Sequence, residues 1–142
     1  MLKKITMLTL AYISISSALA DTITTCPNPA TITLNTTTHH FVSSVNWQSL
    51  DPAESKPATT PVFQGAVGLW SSPTKSLLTA CNYRYLDKNH LNHEINLGQV
   101  DGMPPNYYVD LSNKNWHQQL PGLKCTSTAH NLKDCPIVSS NN

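Results

Sequence analysis

Residues 61–86, PVFQGAVGLWSSPTKSLLTACNYRYL, carry two apolar runs separated by a short polar break. No other stretch limits the fold as much. In the first run Phe63, Gly65, Val67 and Leu69 fall on one face at period two, and Val62, Gln64, Ala66, Gly68 and Trp70 on the other. Both faces are apolar, which suits a central strand rather than an edge. Gly65 and Gly68 mark a bulge or a close approach, with large aromatics at hand to lie over them. Ser71–Lys75 supplies the turn, because proline fixes φ and serine bonds to nearby backbone. The second run puts Leu77, Thr79, Cys81, Tyr83 and Tyr85 on one face, so two tyrosines would shield a disulfide at Cys81. A helix fits less well, since no cap precedes Leu77 and aromatics at period two favour a strand.

A cysteine in a strand is informative only once the compartment is known. The chain opens Met1-Leu2-Lys3-Lys4, runs apolar from Ile5 to Ile15, and reaches Ala18-Leu19-Ala20. A charged start, a short apolar run and an A-x-A site read as a signal peptide, with cleavage after Ala20. No cysteine stands at the cleavage point, which argues against a lipoprotein. Removing residues 1–20 from 142 leaves 122, enough for one domain with its own core. No later apolar run reaches the roughly 20 residues a spanning helix needs, so no integral membrane segment is expected in the mature chain.

All four cysteines, Cys26, Cys81, Cys125 and Cys135, lie after that site. An even count in an oxidising compartment implies disulfides, and three pairings satisfy it. The preferred one joins Cys125 to Cys135, whose intervening segment can fold back as a short loop, and so leaves Cys26 for Cys81. Zinc is the rival, but no C-x2-C spacing occurs.

The remaining segments are short and β-prone. Thr22–Cys26 is an arm stopped by Pro27-Asn28-Pro29, and Ala30–Leu34 alternates. Asn35-Thr36-Thr37 fits a glycosylation acceptor but reads more simply as a polar loop. Phe41–Trp47 reads as one strand, Leu50–Thr60 as a long connection, and Asp87–His90 as a turn. Leu91, His93, Ile95 and Leu97 alternate with polar residues, as in a half-buried strand. Tyr107–Leu111 follows the loop 98–106. Trp116–Leu120 is a short strand or a single helical turn, broken by Pro121-Gly122. Leu123–Thr126 with Ile137–Val138 would make the last pairing. The domain is thus placed at 21–138, with 139–142 a disordered tail. The expected fold is all-β and mainly antiparallel, a small disulfide-stapled sandwich or barrel-like domain.

The chemistry is sparse. His90-x-x-His93-Glu94 is the best metal candidate, but residues three apart on a strand face opposite ways and no third ligand is evident. Surface histidines are the simpler reading, for His39, His40, His117 and His130 as well. No G-x-S-x-G, phosphate loop or matched carboxylate pair occurs. No cofactor, metal or enzymatic activity is therefore expected. A net charge of +1, falling to −1 without Lys3 and Lys4, leaves no footprint for nucleic acid. Tyrosine and tryptophan outnumber phenylalanine, and these are interface anchors. Tyr107 and Tyr108 point to opposite faces. With Met103 in the loop just before them, they are the expected contact surface.

Cys26-Pro27 after the signal peptide, Phe63-Gln64-Gly65-Ala66, Cys81-Asn82-Tyr83, Trp116, Cys125 and Cys135-Pro136-Ile137 form a pattern that covers the mature chain in outline. It resembles small exported proteins of intracellular gammaproteobacteria associated with type IV secretion, and short periplasmic domains of unknown function. The resemblance implies a periplasmic, non-enzymatic β-domain needed for secretion or for growth inside a host cell. The expected partner is a protein in the envelope or a second copy of the chain. A secreted effector or inhibitor found outside the cell is the alternative. A small cell-wall hydrolase using Glu94 or Asp110 is a third reading.

Overall fold

The structure is a computed structural model, described here over residues 21–44, 46–70, 76–102 and 105–140. Its centre is the expected antiparallel pair, β5 (Val62–Trp70) and β6 (Ser76–Leu86). The turn expected at Ser71–Lys75 lies outside the described residues.

Two irregularities in this pair decide which side chains enter the core. The register slips between Phe63 and Gly65 and again between Val67 and Gly68. An extra residue in one strand reverses the alternation beyond it. Phe63 and Ala66 are therefore both buried, as are Leu78 and Cys81, although each pair is an odd number of positions apart. The sequence placed Val67 and Leu69 on the Phe63 face and Leu77 on the Cys81 face. The bulges correct this: Leu69 and Leu77 are exposed and Val67 is half-buried. The glycines serve close approach, as expected, but the neighbours are not aromatic. A Cβ on Gly65 would lie 2.1 Å from the Cys125 carbonyl oxygen, and one on Gly68 would lie 2.5 Å from Val109 Cγ2.

The sheet forks at β6. Residues 81–86 pair with β7 (Asn92–Gln99), whereas Leu77 pairs with Tyr108 of β8 (Asn106–Val109). Gln99 spans the gap where β7 and β8 part: its Nε2 donates to the Pro105 carbonyl, 2.6 Å, and its Oε1 accepts from the Tyr107 N–H, 3.2 Å. Beyond β7 come β4 (Trp47–Ser49), β3 (Phe41–Ser43) and β2 (Thr33–Leu34). Beyond β8 come β11 (Ile137–Ser140) and β1 (Thr22–Thr24). On its other flank β5 pairs with β10 (Gly122–Thr126), and β10 with β9 (Trp116–Gln119). All pairs are antiparallel, and the result is an all-β sheet curled into a half-barrel.

Three expectations need correction. Phe41–Trp47 is two strands: Ser44 adopts φ 60°, and the chain turns back so that Ser43 faces Trp47. Leu123–Thr126 does not pair with Ile137–Val138, because β10 is held between β5 and β9 while β11 lies between β8 and β1. Ser139 and Ser140 are strand rather than tail, since they pair with Tyr107 and Asn106.

Phe41, Trp47, Phe63, Tyr83, Tyr85, Ile95, Leu97 and Ile137 fill the inside of the curl. Cys26–Cys81 and Cys125–Cys135 are bonded as preferred from the sequence, and all four residues are buried. The Tyr83 hydroxyl donates to the Pro27 carbonyl at 2.7 Å beside the first bridge, and burial pushes its pKa well up. Trp116 Nε1 donates to the Pro136 carbonyl beside the second, 2.9 Å.

Candidate interaction surface

Residues directly opposite in an antiparallel pair share a face of the sheet. On the outside of the curl this rule links one residue from each of six strands. Gly122 is opposite Leu69, Leu69 opposite Leu77, Leu77 opposite Tyr108, Tyr108 opposite Val138, and Val138 opposite Ile23. Their neighbours Leu78, Val109 and Ile137 point the other way and are buried. Leu69 is 47% exposed, Leu77 43% and Ile23 68%, while Tyr108 and Val138 are half-buried. Four inter-strand steps of about 4.8 Å from Leu69 to Ile23 make an apolar row about 19 Å long on the outer face.

Each end of the row meets a hollow. At the β10 end, Val67, Leu69, Leu120 and Pro121 line one of about 300 Å³, with Lys124 on its rim. Leu120 stands at the tip of the β9–β10 hairpin, beside a cis Leu120–Pro121 peptide, and is 83% exposed. Lys124 is exposed opposite His117, so this end carries one positive side chain. At the β1 end, Tyr108, Leu111 and Val138 line a hollow of about 270 Å³ together with Asp21 and Asp110. That end is acidic.

The expected surface is thus only partly brought together. Tyr108 faces outward at the middle of the row. Tyr107 turns inward, its ring centroid 4.8 Å from that of Trp47. Met103 lies outside the described residues. The sequence reading missed Leu69, Leu77 and Ile23 as surface residues. The bulges hid the first two, and the paired glycines of β5 were the signal that could have exposed them. Ile23 joins the row only because β1 pairs with β11, Val138 lying 115 positions later, a relation no local pattern reveals.

A second cluster closes the opposite end of the molecule. His93 Nδ1 lies 3.0 Å from Glu54 Oε2 and Nε2 lies 3.1 Å from Asp87 Oδ2. Its ring stacks on Tyr85 at 5.2 Å, and Tyr85 in turn donates to the Ser55 carbonyl, 2.9 Å. His93 is not a surface histidine; its side chain is 13% exposed. It ties the 50–60 connection to β7, as Tyr85 ties it to β6. Donation to both carboxylates requires the imidazolium, and the bonds to Glu54 and then Asp87 raise the His93 pKa against the opposing effect of burial. The Leu91 N–H on Asp87 holds that carboxyl low, helped by His93 and the Asn89 N–H.

The two carboxylates engage different ring nitrogens, so one ion could not take His93 and both acids. His90 sits exposed in the turn with φ 59°. Among the described residues no group of three or more histidine, cysteine or acidic side chains could hold a metal. Glu94 faces solvent opposite Arg84, and Asp110 Oδ1 accepts from the N–H and hydroxyl of Ser112. No family model, curated protein or solved structure matches this chain.

Proposed function

We infer that this is an exported, non-catalytic protein that works by contacts with other protein chains on the outer face of its sheet. The observation carrying this reading is the row Leu69, Leu77, Tyr108, Val138 and Ile23, apolar side chains aligned across five strands and left at the surface. Apolar patches of this kind on small domains serve association. Two disulfides support an oxidising compartment, which for this chain we take to be the periplasm. No helix among the described residues is long and apolar enough to cross a membrane. The proposed role is support of envelope assembly, type IV secretion or growth within a host cell, with a secreted effector or inhibitor as the alternative.

The test is site-specific photo-crosslinking in the cell, with the probe at Leu77 and, as control, at Lys88. Capture of a defined protein from Leu77 but not from Lys88 supports the reading. Equal, diffuse labelling from both positions removes it. Recovery of the protein from the medium rather than the periplasm favours the secreted alternative.

A further inference from the structure

We propose that residues 51–54 form a short strap that one proton on His93 fastens to the sheet, closed in acid and released at higher pH. The device uses none of the residues of the apolar row. Both ends of the strap are fixed. The Leu50 N–H donates to the Asn96 carbonyl at 2.9 Å, and the Ser55 carbonyl accepts from the Tyr85 hydroxyl at 2.9 Å. Farther on, the Ala58 N–H donates to the Leu86 carbonyl at 2.8 Å, and Pro57 bridges to Asp87. Between Leu50 and Ser55, Asp51 is held by the Ser49 hydroxyl, Ala53 by the His39 carbonyl and Glu54 by His93 Nδ1. Of these three ties the last depends on a proton.

The two carboxylates on His93 are not equivalent. The Asp87 side chain is 7% exposed, and its other oxygen accepts from the N–H groups of Asn89 and Leu91. The Glu54 side chain is 82% exposed and has no other hydrogen bond among the described residues. A neutral imidazole has one N–H and one lone pair, so it can donate to only one of them. The proton stays on Nε2, toward Asp87, because a buried carboxylate stripped of a partner costs more than an exposed one that water takes up. The Nδ1 lone pair then faces the Glu54 oxygen and repels it. The surrounding charges act in the same direction. Asp51, Glu54 and Glu94 line one hollow of about 480 Å³ with His93, and no described lysine or arginine lines it. Arg84 is opposite Glu94 on β6, and Tyr85 lies against the His93 ring. Loss of the imidazolium thus removes the counter-charge from a hollow of carboxylates as its hydrogen bond to the strap breaks. The bonds to Glu54 and Asp87 raise the His93 pKa, so release falls above about 6.5.

Amide hydrogen exchange of the folded, disulfide-bonded chain tests the proposal, read as protection factors from about pH 5.5 to about pH 9, either side of the usual histidine range. The Ala53 amide should lose protection about fivefold as His93 titrates, the most that one solvent-exposed ion pair is worth. The Leu91 amide, held by Asp87, should keep its own. Ring nitrogen chemical shifts should place the remaining proton on Nε2. Glu54→Gln should abolish the step. Its amide accepts from the imidazolium through oxygen and donates to neutral Nδ1 through nitrogen, so the strap stays fastened on both sides of the titration. Glu54 is at the surface, so this variant leaves the core untouched. His40 bonds the Ser49 carbonyl and hydroxyl at the root of the strap, and its titration is followed in the same spectra. A step with the His40 midpoint, no step at all, a proton retained on Nδ1, or a step that survives Glu54→Gln would each overturn the proposal.

Discussion

The two ends of the β5–β6 pair differ although one alternating pattern builds both. At the Phe63–Tyr83 end the inner face is sealed. The Cys26–Cys81 bridge, the Phe63–Tyr83 ring contact at 5.5 Å and the 50–60 connection pinned by His93 all lie there. At the Leu69–Leu77 end the inner face is buried too, but the outer face holds leucines in water. Ser76 and Thr79 near that end each bury a hydroxyl without a hydrogen-bond partner among the described residues. The contrast separates two uses of apolar surface. One end places it to hold the fold together, and the other leaves it in water.

Substitutions at the sealed end should therefore cost stability, and those at the open end should not. The largest effect is expected from Cys26→Ser with Cys81→Ser. This bridge spans 55 residues, and its loss should cost about 4 kcal/mol, against about 3 kcal/mol for the Cys125–Cys135 bridge, which spans 10. Chemical denaturation of both double variants measures the difference, and equal losses would break the contrast. Gly65→Ala comes next, at about 3 kcal/mol, because its Cβ would press on a backbone carbonyl of β10 that cannot move aside.

The pH response of the His93 clamp is smaller and has a definite sign. The raised His93 pKa gives stability that is complete below about 6.5 and is lost as pH climbs through the higher folded value. The lowered Asp87 pKa gives stability that is present above about 3.9 and is lost as pH falls through the lower folded value. Thermal melts should thus weaken on the alkaline side in the native protein, and His93→Gln should flatten that limb. A native profile with no alkaline fall would remove the clamp from the account. Leu77→Asp should do least, within about 0.5 kcal/mol by denaturation, as is usual for surface positions. A loss of several kcal/mol there would mean that the open end belongs to the core after all.

Much of this fold was legible in the sequence because its strongest signals are local. The runs at 62–70 and 76–86 alternate, prolines and glycines punctuate the chain, and the cysteines limit its closure. What escaped depends on single-residue insertions and distant pairings. The glycines of β5 signal a bulge without showing which residue is the extra one in a run that is apolar on both faces, so Leu77 was placed with Cys81 rather than away from it. Ser44 looked like a strand residue because Phe41, Ser43 and Trp47 keep period two across the turn. His93 looked superficial because Glu54 lies 39 positions away on a connection with no periodicity. Of the expected contact residues, Tyr108 faces outward while Tyr107 packs on Trp47, a partner 60 positions earlier.

The pairing of β1 with β11 bears on when the fold can close. Thr22–Thr24 lies against a strand more than 110 positions later in the chain. Closing so long a loop is entropically slow. The arm is meanwhile tethered to the central pair through the Cys26–Cys81 bridge, so its docking on β11 should follow the local hairpins. Ile23 joins the outer row only in that late step, and a partly folded chain would lack one end of it.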